Sequence, residues 1–195
     1  MKTELTQIAA FVEELFRVRS LPCLFYHNLD HTKQVVKHAR EIATHCALNQ
    51  EEQFTLLAAA WFHDTGHLFG DISTHEQLGV KLMREYFAER LIDRGILKRI
   101  EACIMATKMP AKPLTLLEEI LCDADTYHIG TNEFMKLDEQ VWCELECRLG
   151  ICIDKKIEKS IHFLKTHQFF TVYCRQLLSE GKTKNLQHLK SLSQE

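Results

Sequence analysis

The chain has 195 residues, a formal net charge of −3 at pH 7, and 46% hydrophobic residues. A length of this order predicts one domain with a substantial core, and the small negative charge argues against a nucleic-acid-binding or membrane-binding surface. No run approaches the roughly 20 apolar residues that a membrane span needs. Glycine and proline are few, with 7 and 3 residues, and most windows repeat at helical spacing. We therefore expect an all-α fold, a single-domain helical bundle over residues 1–195.

The eight cysteines form no CxxC pairs, and the polar N-terminal residues do not resemble a signal peptide. Most of the cysteines stand in apolar helical patterns, where a free thiol behaves as a small hydrophobe. We therefore expect reduced thiols and a cytoplasmic protein. Cys143, Cys147 and Cys152 offer a small metal cluster, but their spacing is more typical of a core helix.

The first two predicted helices lead to a candidate ligand. Residues 3–19 form an amphipathic helix, and a polar segment beginning at Tyr26 introduces the second. Asp30 is a candidate N-cap of that helix, although Asn28 would also serve. His31 lies one turn before Val35 on the inward face, so we expect its imidazole to point inward.

The third predicted helix, over about residues 51–64, is apolar on nearly every side, which indicates burial all round. It ends in His63 and Asp64, with His67 four positions after His63 and Gly66 as a natural stop. Burying such groups without partners costs several kcal/mol. Two imidazoles and a carboxylate at this point therefore suggest a bound cation.

The remaining predicted helices add a pair of acids. Helices are expected from about 73 to 87, from 91 to 107 before Pro110, and from 115 to 128. Asp123 and Asp125 fall on opposite edges of the apolar stripe of the last of these, so periodicity does not choose between them. Further helices are expected near 131–148, 153–166 and 168–179, with a break at 181–185 before a short polar segment.

Together, His31, His63, Asp64 and one of the two acids make a mixed nitrogen and oxygen ligand set. Such a set suits a divalent ion of the group Mn, Fe, Co, Ni, Zn or Mg, with positions left for water and substrate. An ion of this kind lowers the pKa of bound water and polarises a phosphoryl oxygen. The pattern therefore favours hydrolysis.

The order His…His-Asp…Asp on successive helices resembles the HD-domain metal-dependent phosphohydrolases. The resemblance covers about residues 20–130 and includes the segments YHNLDHT, LLAAAWFHDTGH, HEQLG and LLEEILCDADTYHIG. It implies an HD core there, with C-terminal helices at about 131–195, and His31, His63 and Asp64 as metal ligands. The closing ligand of this family usually stands in an Ala-Asp pair. That implies Asp125 as the fourth ligand and Asp123 as a residue that orients one.

The segment from Tyr26 to His31 is also similar to the opening of cyclic-nucleotide phosphodiesterases, which share this helical core. The likeness implies that His27 is a general acid that protonates the leaving oxygen; a structural loop histidine is the other interpretation. His67 and His75 raise the question of a second ion, since His-Asp-x-x-His resembles the dinuclear phosphodiesterase segment.

A lysine argues against two tightly held ions. Lys108 stands where dinuclear relatives often carry histidine, and a charged ammonium does not ligate a metal but does hold phosphate. We therefore expect one tightly held ion, with at most a weak second, and a phosphate contact from Lys108. Arg19, Lys33 and Arg84 are further candidate phosphate contacts, although each is more typical of a solvated helix face.

The sequence therefore predicts a metal-dependent phosphohydrolase that cleaves a phosphate ester of a nucleotide or related small metabolite. In that reading Asp64 or Asp125 orients the attacking water, and His27 supplies a proton. The expected partner is a small phosphorylated molecule, with no nucleic acid, no membrane and no organic cofactor. The alternatives are a cyclic-nucleotide-type phosphodiesterase and a non-catalytic metal- or ligand-binding regulatory module. Neither the substrate nor the oligomeric state follows from the sequence.

Overall fold

The computed structural model describes residues 2–19, 21–70 and 72–193. Within these ranges helices are the only regular secondary structure, and the all-α prediction is confirmed. The α-helices are α1 Lys2–Arg19, α2 Leu29–His45, α3 Gln50–Phe62, α4 His75–Phe87, α5 Arg94–Ala106, α6 Leu116–Asp125, α7 Phe134–Leu149, α8 Lys156–Thr166 and α9 Val172–Leu192. Short 3-10 helices cover Thr65–Phe69, Ile72–Thr74 and Tyr127–Gly130. None of the helices described is both long and apolar enough to cross a membrane.

Helix α3 is the centre of the core. Every residue from Phe54 to Phe62 is buried, as its uniformly apolar sequence predicts. It packs against α1, α2, α5 and α6, and its three alanines, 58–60, are fully buried and let these neighbours approach closely. A capping box between Asn49 and Glu52 fixes its first turn. The residues that directly follow Phe62 therefore lie in the interior.

The ends of α2 and α3 differ in detail from the prediction. The N-cap of α2 is Asn28, whose side chain accepts a hydrogen bond from the backbone N–H of His31 at 3.0 Å; Asp30 lies within the first turn. Helix α3 ends at Phe62, with His63 as its C-cap. Gly66 is not a left-handed stop but part of the next 3-10 helix. A Cβ at that position would lie 2.0 Å from the carbonyl oxygen of His75, so glycine allows this close approach to α4.

The predicted break at 181–185 is wrong, because α9 runs through it. Gly181 lies against the 3-10 helix at 127–130, and a Cβ there would lie 2.0 Å from the carbonyl oxygen of Gly130. The side-chain amide of Asn185 donates to the carbonyl oxygens of Ile129 and Thr131, at 2.9 Å each. These residues dock α9 onto the segment that follows α6.

A disulfide joins Cys23, in the loop before α2, to Cys147 in α7, across 124 residues of sequence. The expectation of free thiols is therefore wrong for this pair, because partners so far apart leave no spacing pattern. The other six cysteines are free. Cys147 is also not available for a metal cluster with Cys143 and Cys152.

Candidate metal centre

Four side chains from three helices meet at one point. His31 comes from the first turn of α2, His63 and Asp64 directly follow α3, and Asp125 is the last residue of α6. One ligand atom from each lies within 4.8 Å of the others. Nε2 of His31 is 3.0 Å from Oδ1 of Asp125 and 3.2 Å from Oδ2 of Asp64. Nε2 of His63 is 3.2 Å from the same Asp64 oxygen.

Two atoms of this cluster are buried without a hydrogen-bond partner among the described residues: Nε2 of His63 and Oδ2 of Asp64. The other ring nitrogen of His63, Nδ1, donates to the carbonyl oxygen of Ala60 at 2.8 Å, so Nε2 of the neutral ring carries a lone pair. Leaving a buried polar atom unpartnered costs about 1–3 kcal/mol. A divalent cation between these atoms would supply the missing partner, and the donor set fits it.

The charges of the cluster also favour a cation. Burial lowers the pKa of His31, but its hydrogen bond with Asp125 and the negative charge of Asp64 outweigh that effect and raise the pKa to about 8. Burial likewise lowers the pKa of His63, and the charge of Asp64 raises it well above its usual value. Burial raises the pKa of Asp64, yet the facing imidazoles bring it well below its ordinary range. Without a metal, protons on the imidazoles therefore supply the positive charge that the carboxylates require.

Asp123 does not belong to this cluster. Its carboxylate is fully buried and accepts hydrogen bonds from the backbone N–H groups of Phe170 and Thr171, at 2.8 Å each, and from the Thr171 hydroxyl at 2.7 Å. It anchors the segment that leads into α9. The expectation that Asp123 orients a ligand is therefore wrong, because its oxygens are bonded to this distant segment.

His27 lies beside the cluster and is held by a residue of α7. Its Nδ1 is 2.6 Å from Oε1 of Glu144, while Oε2 of the same carboxylate accepts the backbone N–H groups of Tyr26 and His27 at 2.8 and 2.9 Å. Glu144 is buried, and although burial raises its pKa, the hydrogen bond from His27 lowers it overall. Because Nδ1 of His27 is engaged by this carboxylate, Nε2 is the ring nitrogen that remains available to another partner. No sequence motif pointed to Glu144.

Three imidazoles stack next to Asp64. The ring centroids of His27 and His67 are 4.0 Å apart, and those of His67 and His75 are 3.9 Å apart. Nε2 of His67 and Nε2 of His75 each lie 3.9 Å from Oδ1 of Asp64. His27, Asp64 and His67 form a second group whose ligand atoms lie within 4.8 Å of one another. This group is therefore the place where the second ion suggested by the sequence would bind.

Lys108 contacts the segment that leads into α4, two residues before His75. Its side chain is exposed, and its Nζ contacts the carbonyl oxygen of Ser73 at 3.4 Å. The other candidate phosphate contacts are engaged elsewhere: Lys33 pairs with Glu13 at 2.8 Å, Arg84 with Glu101 at 2.6 Å, and Arg19 lies over the ring of Phe69.

A cavity of about 500 Å³ opens directly beside the cluster, between α2, the end of α6 and α7. His31 and Asp125 are among the residues that line it. Its lining also includes the carboxamides of Gln34 and Gln140, the ammonium of Lys136, the carboxylates of Asp30 and Glu133, and apolar side chains. A volume of this size accommodates a small organic molecule with hydrogen-bonding edges.

A family model described as HD domain matches residues 28–130, which is more than half of the chain. The match includes His31, His63, Asp64 and Asp125, and it ends before α7. Comparison with curated proteins found no match.

Proposed function

Because the chain belongs to the HD-domain family, we propose that it is a metal-dependent phosphohydrolase that cleaves a phosphate ester of a nucleotide or a related small metabolite. The observation that carries the proposal is the convergence of four ligand atoms from three helices, two of them buried and unpartnered. A purely structural cluster would be expected to satisfy its own polar atoms.

The four ligand residues contribute two kinds of donor atom to the centre. His31 and His63 offer ring nitrogens, and Asp64 and Asp125 offer carboxylate oxygens that neutralise a divalent ion. A cation bound there supplies Lewis acidity, which lowers the pKa of water and polarises a phosphoryl oxygen. Because Asp64 reaches the His31–His63 pair with Oδ2, its Oδ1 remains free to orient a water for attack on phosphorus.

His27 is suited to deliver a proton to the leaving oxygen. Glu144 fixes the imidazole through Nδ1, and the two backbone hydrogen bonds to the same carboxylate hold the loop that carries it. A group fixed in this way loses little conformational entropy when it acts. Positioned general acids contribute roughly 10²–10⁴-fold to turnover.

The adjacent cavity indicates the kind of leaving group. A phosphorus atom near the ligand cluster would place the remainder of the ester against Gln34, Gln140 and Lys136. Carboxamides pair with the amide and amidine edges of a nucleobase, so a nucleoside is a suitable occupant. Lys108 contributes to phosphate binding in this proposal only if its flexible side chain leaves the Ser73 carbonyl.

The proposal is tested by turnover of an aryl phosphate monoester and a panel of nucleotides, with protein stripped of metal and then reloaded with Mn, Co, Ni or Zn. We expect activity that is lost on stripping, returns on reloading and is abolished in Asp125→Asn. Asp154→Asn, which changes an exposed aspartate of the loop before α8, is the matched control and should be unaffected. Metal binding without turnover of any phosphate ester would instead indicate a non-catalytic binding module.

A second candidate is a phosphodiesterase of the cyclic-nucleotide type, and the likeness of the segment from Tyr26 to His31 to the opening of those enzymes supports it. His27, held by Glu144, serves either candidate, because a nucleotide monoester and a cyclic diester both release a sugar alkoxide that needs a proton. The ratio of monoester to diester turnover distinguishes the two candidates.

A further inference from the structure

Arg148, in α7 and outside the family match, reaches the stack of imidazoles. Its side chain is only 6% exposed. One guanidinium nitrogen, Nη1, donates to Nδ1 of His67 at 2.6 Å and to Oε1 of Glu144 at 3.2 Å. The other, Nη2, donates to the carbonyl oxygen of Gly70 at 3.0 Å. The guanidinium is thus held from three sides.

The contact with His67 determines where that ring carries its proton. A guanidinium has donors and no acceptor, so Nδ1 of His67 must be the acceptor. An imidazolium has no acceptor nitrogen, so the ring is neutral, and its single proton is on Nε2. His67 is 1% exposed, and its Nε2 has no hydrogen-bond partner among the described residues.

A protonated Nε2 is a hydrogen-bond donor and not a metal ligand, because coordination requires the lone pair. It faces Oδ1 of Asp64 at 3.9 Å. This distance is too long for a direct hydrogen bond, but a single oxygen atom can lie about 2.8 Å from both atoms. The geometry suits an oxygen of water or of a phosphoryl group in that position.

We infer that Arg148 fixes His67 as a donor to an oxygen atom bound beside Asp64, and so withholds it from a second metal ion. Arg148 is a positioning residue in this account. The second group of candidate ligands, His27, Asp64 and His67, then lacks one of its three members. The inference concerns the metal centre on which the proposed function rests, but it does not require that the protein be a phosphohydrolase.

The test is nitrogen-15 NMR of the histidine side chains, with the His67 signals assigned from a His67→Phe variant. In the metal-free wild type we expect an unprotonated Nδ1 and a protonated Nε2 at His67. With excess zinc, the Nε2 signal of His63 should shift on coordination, while Nε2 of His67 should keep its proton. A protonated Nδ1 of His67, or coordination of its Nε2 in the wild type, would overturn the inference without affecting the proposed function.

The Arg148→Met variant tests whether the guanidinium is what keeps the proton of His67 on Nε2. Removing the guanidinium frees Nδ1 to take the proton, so a second equivalent of zinc should bind and shift Nε2 of His67. Arg84→Met is the control, because it removes a guanidinium of similar size from the surface pair with Glu101, and it should keep one equivalent. If His67 stays protonated at Nε2 in Arg148→Met at excess zinc, the restraint is not due to Arg148 and the inference fails. Should this variant not fold, the wild-type spectrum still decides the protonation of His67.

Discussion

Replacing Asp123 with asparagine tests whether Asp123 or Asp125 is the metal ligand, a choice that helical periodicity does not make. The Asp123 carboxylate accepts three hydrogen bonds, two at Oδ2 from Thr171 and one at Oδ1 from Phe170. An asparagine that keeps its oxygen near Thr171 turns its amide N–H₂ toward the N–H of Phe170. The change then removes one charge-assisted hydrogen bond and leaves a donor unsatisfied, at a cost of about 2–4 kcal/mol in the free energy of unfolding. For a chain of this length that corresponds to roughly 4–16 °C in Tm.

The assay combines urea unfolding of the metal-free protein with the metal content of the reloaded protein. Asp123→Asn should unfold at lower urea and still bind stoichiometric metal. Asp125→Asn is the matched variant, and it should lose the metal. The reasoning is refuted if Asp123→Asn loses metal at unchanged stability, or if Asp125→Asn keeps it.

Three further predictions concern the centre itself. Asp64→Ala should abolish both bound metal and activity, because it removes the carboxylate that faces both imidazoles; stoichiometric metal in that variant would count against the ligand set. His27→Ala should leave metal content unchanged and lower turnover of a substrate with a poor leaving group by roughly 10²–10⁴-fold, and an unchanged rate would remove its role as an acid. Since the pKa of His31 is raised to about 8, it is protonated at neutral pH and must lose that proton to ligate. Calorimetric metal titrations should therefore show affinity rising with pH through about 8, with protons released on binding from His31 and from His63, whose pKa is also raised; pH-independent affinity with no proton release would contradict this.

Local patterns were sufficient to predict the helical core and the sites where polar residues enter it. The uniformly apolar run of α3 is the pattern of a helix that is buried on all sides. The polar residues that follow it directly must then lie inside. The same reasoning places His31 at the start of α2, where its face is that of Val35.

Contacts between distant segments were not predicted, because no local pattern reports them. Periodicity places Asp123 and Asp125 on opposite edges of the same apolar stripe. Only the hydrogen bonds of Asp123 to Phe170 and Thr171, in a distant segment, distinguish the two. Glu144 and Arg148, spaced four apart on a helix, have the pattern of an ordinary surface ion pair. Their burial follows from the docking of α7 against the loop that carries His27, which the disulfide of Cys147 also joins.

The predicted break at Gly181 is wrong for a related reason. Glycine within a polar segment predicts a break, but the same residue also permits close packing, as Gly181 does against Gly130. Sequence alone does not distinguish the two uses, because the neighbouring element is 51 residues away.

The most direct test of the account is an anomalous difference map from crystals of the protein grown or soaked with zinc. We predict a single strong peak within bonding distance of His31, His63, Asp64 and Asp125. A map with no peak among these four residues, or with its peak elsewhere in the protein, would contradict the existence of the centre.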